Sequence, residues 1–281
     1  MISKTEQNAD VLSKPEAWNG FSSTYQTRIG TCTMQGTSRL VQILAKEASF
    51  NEHSYAHDNG TGGGSIARAI KERYPSTKIL ATDISPGMLK QVDSLNLPGV
   101  TTQLEDAVTL SGLDDNTFTH SLTSFMIQFT PDMLATVQSM YRTLRPGGIA
   151  GFAIWGAGTD VDIVHDKAGK RLDPSYQKFE VYPAGAWSSE EEQREAMTKT
   201  GFKDVKTLSM KMPFVFDSAE DYAHWYFGPY GNPVAAKLLA DWKRHGGSLD
   251  ELKIAVRDVV REQYGDGKGL AMEAVLAWGT K

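Results

Sequence analysis

Hydrophobic positions along the chain recur with two periods, helical and extended, and segments of the two kinds alternate. Leu40, Val41, Leu44 and Ala45 share one face at helical spacing. After a polar start over 1–15, they predict a mostly helical opening from Glu16 to about Ala48. Residues 53–57 read as a short strand, although SYAH is unusually polar for one. A glycine-rich stretch follows, Asp58-Asn59-Gly60-Thr61-Gly62-Gly63-Gly64. Next comes a helix over Ser65–Arg73, with Ile66, Ala67, Ala69 and Ile70 on one side and Pro75-Ser76 as its stop. The alternation continues with a strand at Lys78–Asp83, a helix at 86–95, a strand at Val100–Leu104 and an apolar strand at 117–126. In the helix at 131–144, Met133/Leu134, Val137, Met140/Tyr141 and Leu144 keep helical spacing. Arg145-Pro146-Gly147-Gly148 reads as a turn and 149–155 as a buried strand.

Beyond Trp155 the pattern is looser. A helix is expected over 188–200, with Ser188 as cap, Glu191 three residues on as in a capping box, and Gly201 closing it. A long strand over 202–216, a helical, aromatic-rich stretch over 218–264 and a closing strand over 272–278 complete the reading. Strands alternating with helices predict a parallel sheet with helices on both faces and right-handed crossovers. There is no internal repeat.

Composition narrows the classes. The chain has 281 residues, with 29 Lys+Arg against 34 Asp+Glu and a net charge of −5, so no overall basic field awaits nucleic acid or an anionic membrane. A chain of this length buries a large core without disulfides or metals. No stretch approaches the roughly 18 apolar residues of a membrane span. The N-terminus MISKTEQNADVLSKPE lacks the apolar core of a secretory signal, and the expected location is cytoplasmic. Cys32 is the only cysteine, which excludes an intrachain disulfide and a cysteine zinc cluster; it reads as a semi-buried structural thiol. The acidic residues show no metal-ligand arrangement, so no metal is expected.

The candidate chemistry starts at the glycines. Gly60, Gly62 and Gly64 lie between a strand and a helix, where bare backbone lets a ligand come close and the helix N-terminus offers free N–H groups. About twenty residues further on, Asp83 ends the next strand, where a carboxylate can accept both hydroxyls of an adenosine ribose. Gly62-Gly63-Gly64-Ser65-Ile66-Ala67 also satisfies the dinucleotide pattern G-x-G-x-x-A, which keeps a nicotinamide oxidoreductase open as an alternative. Three features weigh against it. The loop stands behind a long helical extension. Asp58 would repel a pyrophosphate but suits an ammonium group, and Asp106 offers an acceptor to an adenine amino group. A phosphate-free adenosine ligand, S-adenosylmethionine, suits this acidic ring better.

Asp58-x-Gly60-x-Gly62-x-Gly64 resembles motif I of class I S-adenosylmethionine-dependent methyltransferases. Asp83-Ile84-Ser85-Pro86-Gly87-Met88-Leu89 is similar to their D-x-S-x-x-M-L signature. Glu105-Asp106-Ala107, Thr123-Ser124-Phe125 and Leu144-Arg145-Pro146-Gly147-Gly148 match later landmarks in order. The likeness is strong over 54–155. It is greatest to the small-molecule, ubiquinone-biosynthesis-like group, and within that to fungal secondary-metabolism members. It implies an α/β, Rossmann-like, doubly wound seven-stranded sheet with an antiparallel last strand. It also implies one domain over 1–281, with a helical lid over 1–50, a cofactor half over 54–155, and a substrate half over 156–281 that carries a helical insert at about 218–264. Asp58 and the backbone at Gly60, Gly62 and Gly64 would hold the methionine end. Asp83 would hold the ribose and Met88 would pack on the adenine. Asp106, with Ala107, would meet its amino group, Thr123 and Ser124 would seat the methionine part, and Tyr25 would close the site from the lid.

The resemblance implies transfer of a methyl group to O, N or S of a small organic acceptor. Its alternative is the same fold used for a rearrangement or cyclisation without transfer. Substrate residues are expected at the carboxyl ends of the strands. His165, near Asp160 and Asp162, and His224, beside aromatic residues, are the candidate bases. Gln128, Trp155, Tyr226 and Phe227 are the candidate acceptor contacts, while His57 reads as a strand-end histidine.

Overall fold

The run 149–155 is apolar at every position because both its faces are covered. Ile149, Ala153 and Trp155 enter one core with Leu40, Leu44, Ile66, Ile70 and Leu122. Ala150, Phe152 and Ile154 enter a second with Phe118, Val137, Met140 and Met197. Side chains alternate across a strand, so a strand buried on both faces loses its polar alternation. These contacts come from a computed structural model, which describes residues 29–177, 187–228, 233–244, 247–265 and 269–281.

The strands are β1 (Tyr55–Asn59), β2 (Lys78–Asp83), β3 (Val100–Leu104), β4 (Phe118–Ser124), β5 (Leu144–Trp155), β6 (Lys203–Phe214) and β7 (Leu270–Thr280). They form one seven-stranded sheet in the order β3-β2-β1-β4-β5-β7-β6. β1 runs parallel to β2 and β4, and β2–β3 and β4–β5 are parallel. β7 runs antiparallel to both β5 and β6, so the Rossmann-like sheet has its last strand reversed, as expected. The helices are α1 (Ile29–Glu47), α2 (Ser65–Arg73), α3 (Pro86–Ser94), α4 (Met133–Thr143), α5 (Asp160–Leu172), α6 (Glu190–Thr200), α7 (Ala219–Phe227), α8 (Pro233–Arg244) and α9 (Leu249–Tyr264). α1 packs on α2, β5 and β6; α4 and α6 pack together; α5 and α7 pack on α9.

The structure moves several sequence boundaries. The expected strand at 53–57 lies at Tyr55–Asn59, because Asp58 and Asn59 pair with Ala81 and Thr82 of β2. The segment at 145–148, read as a turn, belongs to the start of β5. There the pairing with β4 slips between Phe118 and His120, and Gly147 takes φ 74°. The capping box lies one residue later than expected, on Ser189 and Glu192; three consecutive glutamates, 190 to 192, make the spacing ambiguous in sequence. The helical stretch 218–264 is three helices, α7, α8 and α9. Helix α5 was not read at all, although Val161, Val164, His165 and Ala168 are buried at helical spacing.

The polar first strand is explained by histidines used as core aromatics. His57 is fully buried, stacks on Phe118 at 4.7 Å and bonds Thr82 Oγ1 through Nε2 at 2.9 Å. His120 on β4 stacks on Phe50 at 4.1 Å and pairs through Nε2 with the Ala48 carbonyl at 3.0 Å. Each ring is held by a hydrogen bond through Nε2 and by an aromatic neighbour, although His57 Nδ1 is buried without a partner.

Candidate functional site

Neighbour order reverses at β1, with β2 on one side and β4 on the other, and the crevice outside their carboxyl ends is where such sheets bind ligands. β1 ends in Asp58 and Asn59 and turns sharply. Gly60 has φ 67°, and a Cβ there would come within 2.5 Å of Met126 Cγ, so both backbone and space require glycine. Gly62 has φ 52° but faces open space, consistent with a ligand path along the loop. Gly64 (φ 81°) starts α2.

Two carboxylates organise this turn. Asp58 is 1% exposed, and its Oδ2 accepts from Thr61 Oγ1 at 2.7 Å and from Ala67 N at 3.2 Å. Its Oδ1 is buried with no partner. Burial pushes the Asp58 carboxyl up to about 7, against the pull of its two hydrogen bonds, with the Asp83 charge adding to the rise. An orphaned carboxylate oxygen at a cavity wall fits a cationic ligand group. Because Asp58 occupies an N–H of the first turn of α2, that helix end is poorly suited to a pyrophosphate. Asp83 accepts from Gly62 N on Oδ2 and from Ser85 N on Oδ1, each at 2.9 Å, linking the glycine loop to the start of α3. Burial raises its pKa as well, opposed by those N–H groups. Ser85 caps α3 by accepting from Met88 N, with Pro86 in the first turn, which fixes Met88 over the crevice.

One continuous cavity, about 270 Å³, joins this crevice to an aromatic chamber. Of the expected cofactor residues, Asp58, Gly60, Gly62, Asp83, Met88, Asp106, Ala107 and Ser124 line it. Ser124 also shares a 2.7 Å hydrogen bond with Thr37 of α1, which closes one side. Gly64 and the fully buried Thr123 do not reach the cavity, and Tyr25 lies outside the described residues.

On the acceptor side, Trp155 and Tyr226 line the chamber, while Gln128 and Phe227 do not. Gln128 is instead a fixture for Trp155. Its Oε1 accepts from the Trp155 N–H at 2.7 Å and its Nε2 donates to the Trp155 carbonyl at 3.1 Å. Neither candidate base reaches the cavity. His165 is buried behind Tyr226, with ring centroids 4.2 Å apart, and its Nε2 bonds the Tyr222 hydroxyl at 3.2 Å. Burial pushes its pKa down to about 3, so at neutral pH it is an uncharged packing residue. His224 sits on the exposed side of α7.

The sequence reading missed Phe125, Phe214 and Asp162 as wall residues, while Trp225 belongs to the aromatic group at 222–230 that it offered as a pocket lining. Phe125, at φ 54°, packs its ring tilted against Trp155 with centroids 4.3 Å apart. A signal for Asp162 existed: it lies in the first turn of the unread helix α5, where acidic residues are favoured.

The fold and site define an α/β class with a carboxylate-lined crevice at the switch point of the sheet. The methyltransferase domain family matches residues 57–152. Methyltransferase ucsB from Acremonium sp is 24% identical over 223 residues, covering 73% of this chain and 76% of the relative. Trans-aconitate 2-methyltransferase from Deinococcus radiodurans is 25% identical over 206 residues, covering 68% and 76%. Among solved structures, the YcgJ protein from Bacillus subtilis superposes with a TM-score of 0.56 at 19% identity, covering 86% of this chain and 98% of that one. These likenesses support a class I S-adenosylmethionine-dependent methyltransferase.

Proposed function

We propose that the protein methylates an O, N or S atom of a small organic acceptor of the secondary-metabolite kind, as a single domain whose helices between β6 and β7 cover the acceptor. The observation that carries this reading is the single cavity running from Asp58, Asp83 and Asp106 to Trp155, Trp225 and Tyr226, a donor half joined to an acceptor half. The Deinococcus relative is named for trans-aconitate, a small organic molecule, which supports an acceptor of that size.

Bound S-adenosylmethionine supplies an electrophilic methyl group on a sulfonium. The residues position both reactants. The orphaned Oδ1 of Asp58 accepts from the ammonium of the methionine end, and Gly60 and Gly62 let the backbone approach it. Asp83 accepts from the ribose hydroxyls, Met88 packs on the adenine, and Asp106 with Ala107 meets its amino group. The backbone at Thr123 and Ser124 supports the methionine part. Gln128 keeps Trp155 fixed against the acceptor. Alignment of this kind contributes up to roughly 7–11 kcal/mol in a bimolecular reaction.

The test is calorimetric titration with S-adenosylhomocysteine and with NADH, followed by an assay for S-adenosylhomocysteine release over phenols, amines and thiols. Binding of NADH alone would overturn the reading. Binding of S-adenosylhomocysteine with no release across the panel would favour the cyclisation alternative.

A pH dependence follows from Asp58. Its raised carboxyl stabilises the free fold below its ordinary 3.8, and that contribution is lost as pH rises through about 7. The ionised form is the one that holds an ammonium group. Affinity for S-adenosylhomocysteine is therefore expected to rise up to about tenfold per pH unit on approach to neutrality, and to flatten in Asp58→Asn. Titrations from about pH 6 to pH 8 check this, and a flat wild-type profile would remove Asp58 from the ammonium site.

A further inference from the structure

We propose that the inner chamber binds an apolar-bodied acceptor that is uncharged or cationic and donates an O–H or N–H to Asp162, and that the chamber excludes anions. This rests on the reading of the outer half as the methyl-donor site.

Three observations meet here. First, the chamber is built mostly from rings. Trp155 closes β5, Phe214 closes β6, and α7 contributes Trp225 and Tyr226, all buried and all on the cavity wall. Such walls take the body of an aromatic or alicyclic molecule and offer a cation the faces of the rings. Second, the ionisable groups on the wall are one-sided. Among the described residues the cavity is lined by the carboxylates of Asp58, Asp83, Asp106 and Asp162, and by no Lys, Arg or His. The first three belong to the donor half. Asp162 comes from the first turn of α5, together with Thr159 and Val161, and so stands on the acceptor side. Among the described residues an anionic acceptor would meet this field without a compensating cation on the wall, and burying an uncompensated charge is costly. Third, the neighbouring polar groups are not bases. Burial raises the Tyr226 phenol well above its ordinary value, and the Asp162 carboxylate adds to the shift, so Tyr226 stays protonated. A carboxylate has several lone pairs, and Asp162 can accept from a ligand as well as from its neighbours.

The experiment uses the whole chain loaded with S-adenosylhomocysteine, with Trp155 and Trp225 as fluorescent reporters in the chamber wall. Three probes of one shape are titrated: 3-phenylpropanol, 3-phenylpropylamine and 3-phenylpropanoate. The alcohol and the amine are expected to bind at least about tenfold tighter than the carboxylate. Asp162→Asn is expected to remove most of that preference while S-adenosylhomocysteine affinity stays unchanged. Asp162→Lys is expected to reverse it. Equal or tighter binding of the carboxylate to the wild type, failure of all three probes to bind, or a preference surviving in Asp162→Asn would each overturn the proposal. The wild-type comparison stands even if a variant fails to fold. Binding of S-adenosylhomocysteine is measured first: its absence would sink the donor-site reading, whereas its presence without probe selectivity would sink this inference alone.

Discussion

Replacing Asp83 with alanine is expected to weaken S-adenosylhomocysteine binding by two orders of magnitude or more. Hydrogen bonds to a charged group contribute about 1.5–3 kcal/mol each, and a carboxylate holding two ribose hydroxyls would contribute about 3–6 kcal/mol, on the order of 10²–10⁴ in affinity. The side chain has a second task, because its two oxygens already accept from Gly62 N and Ser85 N. Removing it also releases the glycine loop from the start of α3, so part of the loss is paid in order before the ligand arrives. Asp83→Asn separates the two. It keeps a carbonyl oxygen for one N–H and for a neutral hydrogen bond to ribose, and is expected to fall between wild type and alanine. Calorimetric titration reads the affinities, and thermal unfolding of the ligand-free variants reads the structural share. Unchanged affinity in Asp83→Ala would place the ribose elsewhere.

The donor half was legible because its chemistry is local in sequence. The glycine turn, Asp83 and the Ser85-Pro86 cap each lie at a strand end, and the chain order of strands and helices carries them into one crevice. The first strand is unusually polar in sequence, and what sequence could not supply was the partner of its polar groups. His57 bonds Thr82 of β2 through Nε2, and Phe118 from β4 covers its ring. The acceptor half was far less legible. Its walls come from the ends of β5 and β6 and from α5 and α7, separated widely in sequence, and which side of each helix faces inward is decided by packing. His165 and His224 illustrate this. Both lie among aromatic or acidic residues that suggested a base, yet one is sealed behind Tyr226 and the other is exposed. Asp162, one turn before His165, is the residue that the same helix presents to the cavity. Gln128 stands beside the site in sequence, but its amide is used up on the Trp155 backbone.

Acid is expected to destabilise the fold chiefly through its buried histidines. Burial lowers the pKa of His57, His120 and His165, the first and last to about 3. A lowered base contributes stability that is complete above its ordinary 6.5 and is lost as pH falls toward its folded value, so the window runs from about 6.5 down to about 3. Each such group costs about 1.4 kcal/mol per pH unit inside its window. Asp58 and Asp83 act in the opposite sense. Their raised carboxyls are protonated earlier in the fold than in the unfolded chain, which offsets part of the loss until the pH reaches 3.8. His57 and His165, both lowered to about 3, outweigh Asp58, raised to about 7, and stability falls from about pH 6 to pH 4. The carboxylates Glu47, Glu190 and Glu262, each held below its ordinary 4.5 by hydrogen-bonded partners, add a further loss once the pH falls below that value. Binding of a cation at Asp58 would hold that carboxyl ionised and remove one offset, so the ligand-bound protein should show the steeper acid dependence. Denaturant unfolding at several pH values gives the proton uptake directly. His165→Phe keeps a ring against Tyr226 and leaves the Tyr222 hydroxyl without its partner, a loss of about 1 kcal/mol at neutral pH. It should lower the uptake on unfolding at about pH 5 by close to one proton, and an unchanged uptake would mean that His165 is protonated in the folded state.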